Sequence, residues 1–166
     1  TTDLKKFKEG DISRIAQLVN KTNQFNLTAR RLSLKEITDI SKSLNFLTIS
    51  GNLKDKFGDN GLITVFIGKI KKQTLDIVVW LMSCRVFNRN LELALFDHLI
   101  SFCKKKGIST IYGYYIKSKK NFIVKDLYKT LGFKKVKSQK NEDKWEFKIA
   151  EKYDRKNKII SIINEK

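Results

Sequence analysis

Leu91, Ala94, Leu95, Leu99, Phe102 and Cys103 recur at spacings of three and four, which predicts a helix from about Asn88 to Lys106 with one buried face. Lys104, Lys105 and Lys106 suit the negative end of its dipole, and Gly107 stops it. Upstream, Ile12, Ile15, Ala16 and Val19 mark a shorter helix over Asp11–Asn20, with Asp11 placed to cap it. Ser33 followed by Glu36 has the form of a capping box and opens a second short helix. Strands are predicted at Phe46–Ser50 and Leu62–Lys69, with Asp59-Asn60-Gly61 as a turn signal between them. Leu75–Ser83 is apolar nearly throughout, as a strand covered on both faces would be. Ile111–Ile116 reads as a strand and Asn121–Leu131 as a helix ended by Gly132. Phe133–Val136 and Trp145–Ile149 close the sheet, and residues 152–166 form a basic amphipathic helix. The order ααβββαβαββα predicts one α/β (α+β) domain over 1–166, a mixed central sheet flanked by helices.

Composition narrows the class. The chain has 166 residues, 41% of them apolar, enough for one real core. No run of 18 apolar residues appears, so no membrane span is expected, and the first residues do not resemble a secretory signal. Cys84 and Cys103 make no disulfide framework, which points to a reducing cytoplasm. The net charge is +18, and residues 104–166 hold 19 basic against 7 acidic side chains. Only six of the basic residues are Arg, so compositional drift towards Lys explains most of the excess. Nucleic acid is argued for by charge alone and is not expected; an acidic protein partner fits the remainder. One His and two separated Cys leave no credible zinc site, so no metal is expected.

The segment Cys84-Arg85-Val86-Phe87-Asn88-Arg89-Asn90 lies between a strand and a helix N-terminus, where free N–H groups and the dipole favour an anion. Arg85 and Arg89 add charge there. Asn121, Tyr128 and Gly132-Phe133 follow in the pattern N-x6-Y-x3-G-F. Together these two segments resemble the GNAT (Gcn5-related N-acetyltransferase) fold. The resemblance implies that Cys84, Arg85, Val86, Asn88, Arg89 and Asn90 cradle the phosphates of coenzyme A or phosphopantetheine. It implies too that Asn121 contacts the carrier arm and that Tyr128 protonates the departing thiolate. Asn88 and Asn90 stand where that family has small residues; Asn tolerates the left-handed backbone such a turn needs.

Four blocks, two of them overlapping these segments, extend the likeness: Arg14–Leu18 with Lys21–Thr28, Phe57–Leu62, Leu81–Val86, and Lys120-Asn121 with Tyr128 and Gly132-Phe133. In this order they resemble the C-terminal region of FkbH-like proteins. That resemblance implies a GNAT-like domain behind a haloacid-dehalogenase-type (HAD) domain, loading a glyceryl or hydroxyacyl unit onto an acidic acyl carrier protein for methoxymalonyl-type biosynthesis. The expected cofactor is carrier-bound phosphopantetheine or coenzyme A. No Asp-x-Asp triplet occurs in the chain, and Lys117 stands where the family has Pro. Thr22, Asn23, Gln24 and Asn26 are candidates for binding the acyl group; Asx-turns and caps are the competing explanation. An independent acetyl-CoA-dependent N- or O-acetyltransferase is the alternative. Cys84 as a covalent nucleophile lacks an adjacent His, and His98 reads as a packed core imidazole.

Overall fold

The structure is a computed structural model that describes residues 1–163. Eight strands form one sheet in the order β6-β7-β5-β4-β3-β2-β1-β8. In chain order the strands are β1 (Thr2–Lys5), β2 (Phe46–Asp55), β3 (Gly58–Lys71), β4 (Thr74–Met82), β5 (Thr110–Ile116), β6 (Lys134–Ser138), β7 (Glu142–Lys148) and β8 (Ile162–Ile163). The helices are α1 (Ile12–Lys21), α2 (Leu34–Lys42), α3 (Leu91–Lys105) and α4 (Leu127–Leu131). Strands β1 to β4 run antiparallel in sequence; β5 then pairs parallel to β4 across the α3 crossover. This is the expected mixed sheet flanked by helices.

Alternation along the central strands sends side chains into two cores. Val65, Ile67, Val79 and Leu81 meet Ile15, Val19 and Ile37 of α1 and α2 on one face. Phe66 and Trp80 meet Leu95, Phe96 and Leu99 of α3 on the other. The capping box forms: Ser33 Oγ accepts from Glu36 N at 3.1 Å, and Glu36 Oε2 accepts from Ser33 N at 2.6 Å. These bonds hold the Glu36 carboxyl below its ordinary pKa. Asp11 occupies the N-cap of α1, but its side chain makes no cap bond.

Several boundaries differ from the sequence expectation, and three of them have a clear physical cause. Asp59-Asn60-Gly61 lies inside β3 rather than before it. Asp59 Oδ1 accepts from Gly61 N at 2.8 Å, Gly61 takes φ +65°, and the β2–β3 register shifts nearby. This local Asx turn is absorbed as a bulge, and the hairpin reverses at Lys56-Phe57 instead. The helix expected at Asn121–Leu131 splits into a 3₁₀ turn, Phe122–Val124, and the short α4. The long helix begins at Leu91 rather than Asn88, because Asn88 and Asn90 are left-handed at φ +59° and +60°.

Residues 152–163 do not form the expected basic helix, and 164–166 lie outside the described residues. Side-chain acceptors capture the main-chain N–H groups a helix would have used. The Asp97 carboxylate, 1% exposed on α3, accepts from Lys156 N at 3.0 Å, Asn157 N at 2.8 Å and the Tyr153 hydroxyl at 2.7 Å. Asn157 Oδ1 accepts from Ile160 N at 2.9 Å, and the tail then enters the sheet beside β1. Removing the carboxylate leaves three donors without their acceptor. Asp97→Ala is therefore expected to lower the unfolding free energy by about 3 kcal/mol, read as a shift of the urea midpoint.

Candidate functional site

Parallel strands β4 and β5 pair at three positions only: Thr74 with Thr110, Leu75 with Ile111, and Asp76 with Tyr112. Beyond Asp76 the two edges need other partners, since buried main-chain groups are costly to leave unpaired. Residues 25–28 supply them. Leu27 N donates to Trp80 O at 3.1 Å, Met82 N donates to Phe25 O at 3.0 Å, and the Thr28 hydroxyl donates to Val78 O at 2.8 Å. From the other side, Ile116 N donates to Leu27 O at 2.9 Å. All four residues of this extended Phe25-Asn26-Leu27-Thr28 segment are buried.

Asn26 and Asn121, both fully buried, hold the segment in place. Asn121 Nδ2 donates to Asn26 O at 2.9 Å and to Ile116 O at 2.8 Å, while its Oδ1 accepts from Ser118 N at 2.9 Å. Asn26 Nδ2 donates to Thr22 O at 3.1 Å and its Oδ1 accepts from Ala29 N at 3.0 Å. The two amides thus brace the fold internally; neither side chain faces an open site. Arg31, which sequence reasoning missed, donates to Val19 O at 2.8 Å and also reaches Asn23 Oδ1.

Tyr128 is fully buried as well. Its ring packs 4.9 Å from Phe133 and 6.2 Å from Trp145. Its hydroxyl accepts from Tyr114 N at 3.2 Å and donates to Tyr114 O at 3.3 Å. Burial raises its pKa above the ordinary tyrosine value. A Cβ at Gly113 would lie 2.3 Å from this ring, so the glycine makes room for it.

The turn residues separate into three groups. Val86 is fully buried core and offers no surface to a ligand. Arg89 is paired with Asp55 at the β2–β3 hairpin, with its guanidinium 5.5 Å from the Phe57 ring, so its charge is already partnered. Cys84, Arg85 and Asn88 are exposed; Asn90 is half-buried as the N-cap of α3 and makes no side-chain cap bond. Glu92 sits in the first turn of that helix. Burial raises its pKa, and a bond from its own N–H opposes the rise.

One pocket of about 630 Å3 gathers much of this set. Thr22, Asn23 and Gln24 form one wall, Ser83, Cys84 and Arg85 another, and Lys21 and Lys120 add positive charge. A second pocket of about 240 Å3 opens between the α3 N-terminus and α4, lined by Asn88, Glu92 and Leu127. Phe25, Met82 and Phe87 line both. The Phe25 ring packs against Phe87 at 5.9 Å, on the boundary that the two pockets share. Phe25 has a sequence signal only in hindsight, as the first residue of a four-residue apolar–polar alternation. Among the described residues no cluster suits a metal ion, and no helix is long and apolar enough to cross a membrane.

Two outcomes test this geometry. Gly113→Ala drives a methyl into the buried Tyr128 ring and is expected to cost about 3 kcal/mol, measured by urea unfolding. Cys103 is buried and its thiol pKa is pushed up to about 12, whereas Cys84 is exposed at the pocket. Iodoacetamide at pH 8 is expected to label Cys84 and spare Cys103 in the folded protein, as read by peptide mass spectrometry.

No protein-family model matches the sequence, and neither does any curated relative. Solved structures do match in shape. The ribosomal-protein-S18-alanine N-acetyltransferase of Escherichia coli has a TM-score of 0.70 at 15% identity, over 96% of this chain and all of that one. The PaiA N-acetyltransferase of Thermoplasma acidophilum, solved with coenzyme A, has 0.71 at 17%, over 89% and 99%. The spermidine N-acetyltransferase of Vibrio cholerae, solved with coenzyme A and spermine, has 0.66 at 11%, over 89% and 95%. The chain therefore has the GNAT fold along nearly its whole length.

Proposed function

We propose that this chain is a GNAT-fold acyltransferase that binds an acyl thioester by its pantetheine arm, using acetyl-CoA or a related acyl-CoA. The observation that carries the proposal is the 630 Å3 pocket, which joins the strand-to-helix turn to the polar Thr22–Gln24 wall. Arg85 and Lys120 supply charge for the arm's phosphate, and Thr22, Asn23 and Gln24 supply polar groups for the acyl end. The names of the similar structures, N-acetyltransferases solved in two cases with coenzyme A, support the same reading. Tyr128 is given a positioning role here, because its hydroxyl is closed from solvent and bonded to the main chain of β5.

Delivery of the arm by an acidic acyl carrier protein, beside a HAD-type domain in the same or another chain, is the second reading. The FkbH-like blocks support it, and so does the state of the turn. Arg89 is partnered by Asp55, and Glu92 brings a carboxyl to the helix end. Both weaken the site for a pyrophosphate, and a carrier-bound arm has a single phosphate. The charge of +18 suits an acidic carrier.

Calorimetric titration with coenzyme A, acetyl-CoA, and holo- and apo-carrier protein tests both. Arm-dependent binding is expected, weakened about tenfold by Arg85→Glu, which is about 1.4 kcal/mol. Acetyl transfer from acetyl-CoA to an amine or hydroxyl supports the first reading. Preference for holo- over apo-carrier with weak coenzyme A binding supports the second. Binding that does not depend on the arm in any of these ligands sinks both.

A further inference from the structure

A pocket of about 910 Å3 lies away from the turn, between α4 and the β5–β7–β6 end of the sheet. Tyr115, Phe133 and Trp145 line its interior, each at most 6% exposed. Lysines 117, 125, 129, 134 and 135 surround them, against two carboxylates, Asp126 and Asp143.

Asp143 is already engaged. It accepts from the Ser138 hydroxyl at 2.6 Å and pairs with Lys135 at 3.4 Å. Burial opposes its ionisation, but these bonds and the Lys135 and Lys117 charges outweigh it and hold the pKa below the ordinary value. Lys125, Lys129 and Lys134 have no carboxylate within ion-pair distance among the described residues. Among the described residues their charges stand at the pocket without a carboxylate in ion-pair contact.

The buried polar groups of the lining lean the same way. Trp145 is 6% exposed, and its indole N–H has no hydrogen-bond partner. Tyr115 is 3% exposed, and its hydroxyl makes two long bonds, 3.4 and 3.5 Å, to Asn121. Donors held so poorly inside a protein remain costly until a good acceptor meets them. The unpaired ammonium groups at the pocket are donors and carry positive charge, so the complementary ligand group is rich in acceptors and negatively charged. The ring-lined interior calls for an apolar, flat body attached to that group. Lys125 stands 4.1 Å over the exposed Phe122 ring and Lys135 stands 5.1 Å over Trp145, so cation and ring are already interleaved around the pocket.

We propose that this pocket is a second ligand site, separate from the turn, which takes an organic anion with an aromatic body and a phosphate, sulfonate or carboxylate group. Binding places the anion among Lys125, Lys129 and Lys134 and the flat body against Trp145 and Phe133. The site does not depend on the acyl-thioester reading.

The test uses 2-naphthyl phosphate, with 2-naphthol and inorganic phosphate as the two half-ligands, on the 15N-labelled chain. The two tryptophans give two indole N–H signals, assigned with Trp145→Phe; Trp80, fully buried in the main core, is the internal control. The Trp145 signal is expected to shift with saturation in the sub-millimolar range while that of Trp80 stays in place. Each half-ligand is expected to bind at least tenfold more weakly than the joined molecule. The double variant Lys129→Glu/Lys134→Glu is expected to weaken binding at least tenfold, and the remote pair Lys35→Glu/Lys106→Glu to leave it within about twofold. No Trp145 shift at millimolar ligand overturns the proposal. So does equal weakening by the remote pair, which would reduce the effect to general attraction by a basic protein.

Discussion

Two neighbouring parallel strands that pair over three residues and then part leave a line of main-chain donors and acceptors inside the protein. The molecule has to satisfy that line, and it does so with residues 25–28 bonded to β4 on one side and to β5 on the other. Asn121 ties this segment to the end of β5, and Asn26 shapes the turns that bring it in from α1. The Tyr128 hydroxyl satisfies the main chain of Tyr114 on β5. Residues that look like ligand contacts in a sequence are thus committed to closing the sheet. The pocket walls at Thr22–Gln24 and Ser83–Arg85 are the two rims of that closure.

This arrangement divides the chemistry of the site. Deeply placed polar groups give rigidity, because each amide oxygen and nitrogen has a partner and cannot leave without loss. The rims carry what is free to meet a ligand: Arg85, Cys84, Lys21 and Lys120, all exposed, with half-buried Asn23 behind them. Positive charge stays at the entrance, and hydrogen-bonding groups line the approach to Phe25.

Much of the fold was legible because it is written in short-range patterns. The three- and four-residue spacing of Leu91–Cys103, the Ser33–Glu36 box and the apolar run Leu75–Met82 each act within a few residues of themselves. What escaped depends on distant partners. Strand β1 is short and has one strongly apolar residue, Leu4, so only its pairing with β2 reveals it. The tail avoids a helix because Asp97, about sixty residues earlier, takes its N–H groups. The ion pair of Arg89 with Asp55 and the bond of Asn121 to Asn26 join residues far apart in the chain and have no local signal either. The left-handed Asn88 and Asn90 were foreseeable from the tolerance of Asn for that backbone. The pocket at α4 left no sequence signal, because Tyr115 of β5, Trp145 of β7 and Phe133 of the α4–β6 connection converge from separate parts of the chain.

The pairing of β8 with β1 has a practical side. Thr2 on β1 faces Ile162 on the edge strand β8, and β6 forms the opposite edge, six strand spacings or about 29 Å from β1. A fluorophore placed at Thr1 would sit beside the returning tail and far from β6. It would therefore report release of the tail from Asp97, and remain nearly silent to events at the opposite end of the sheet.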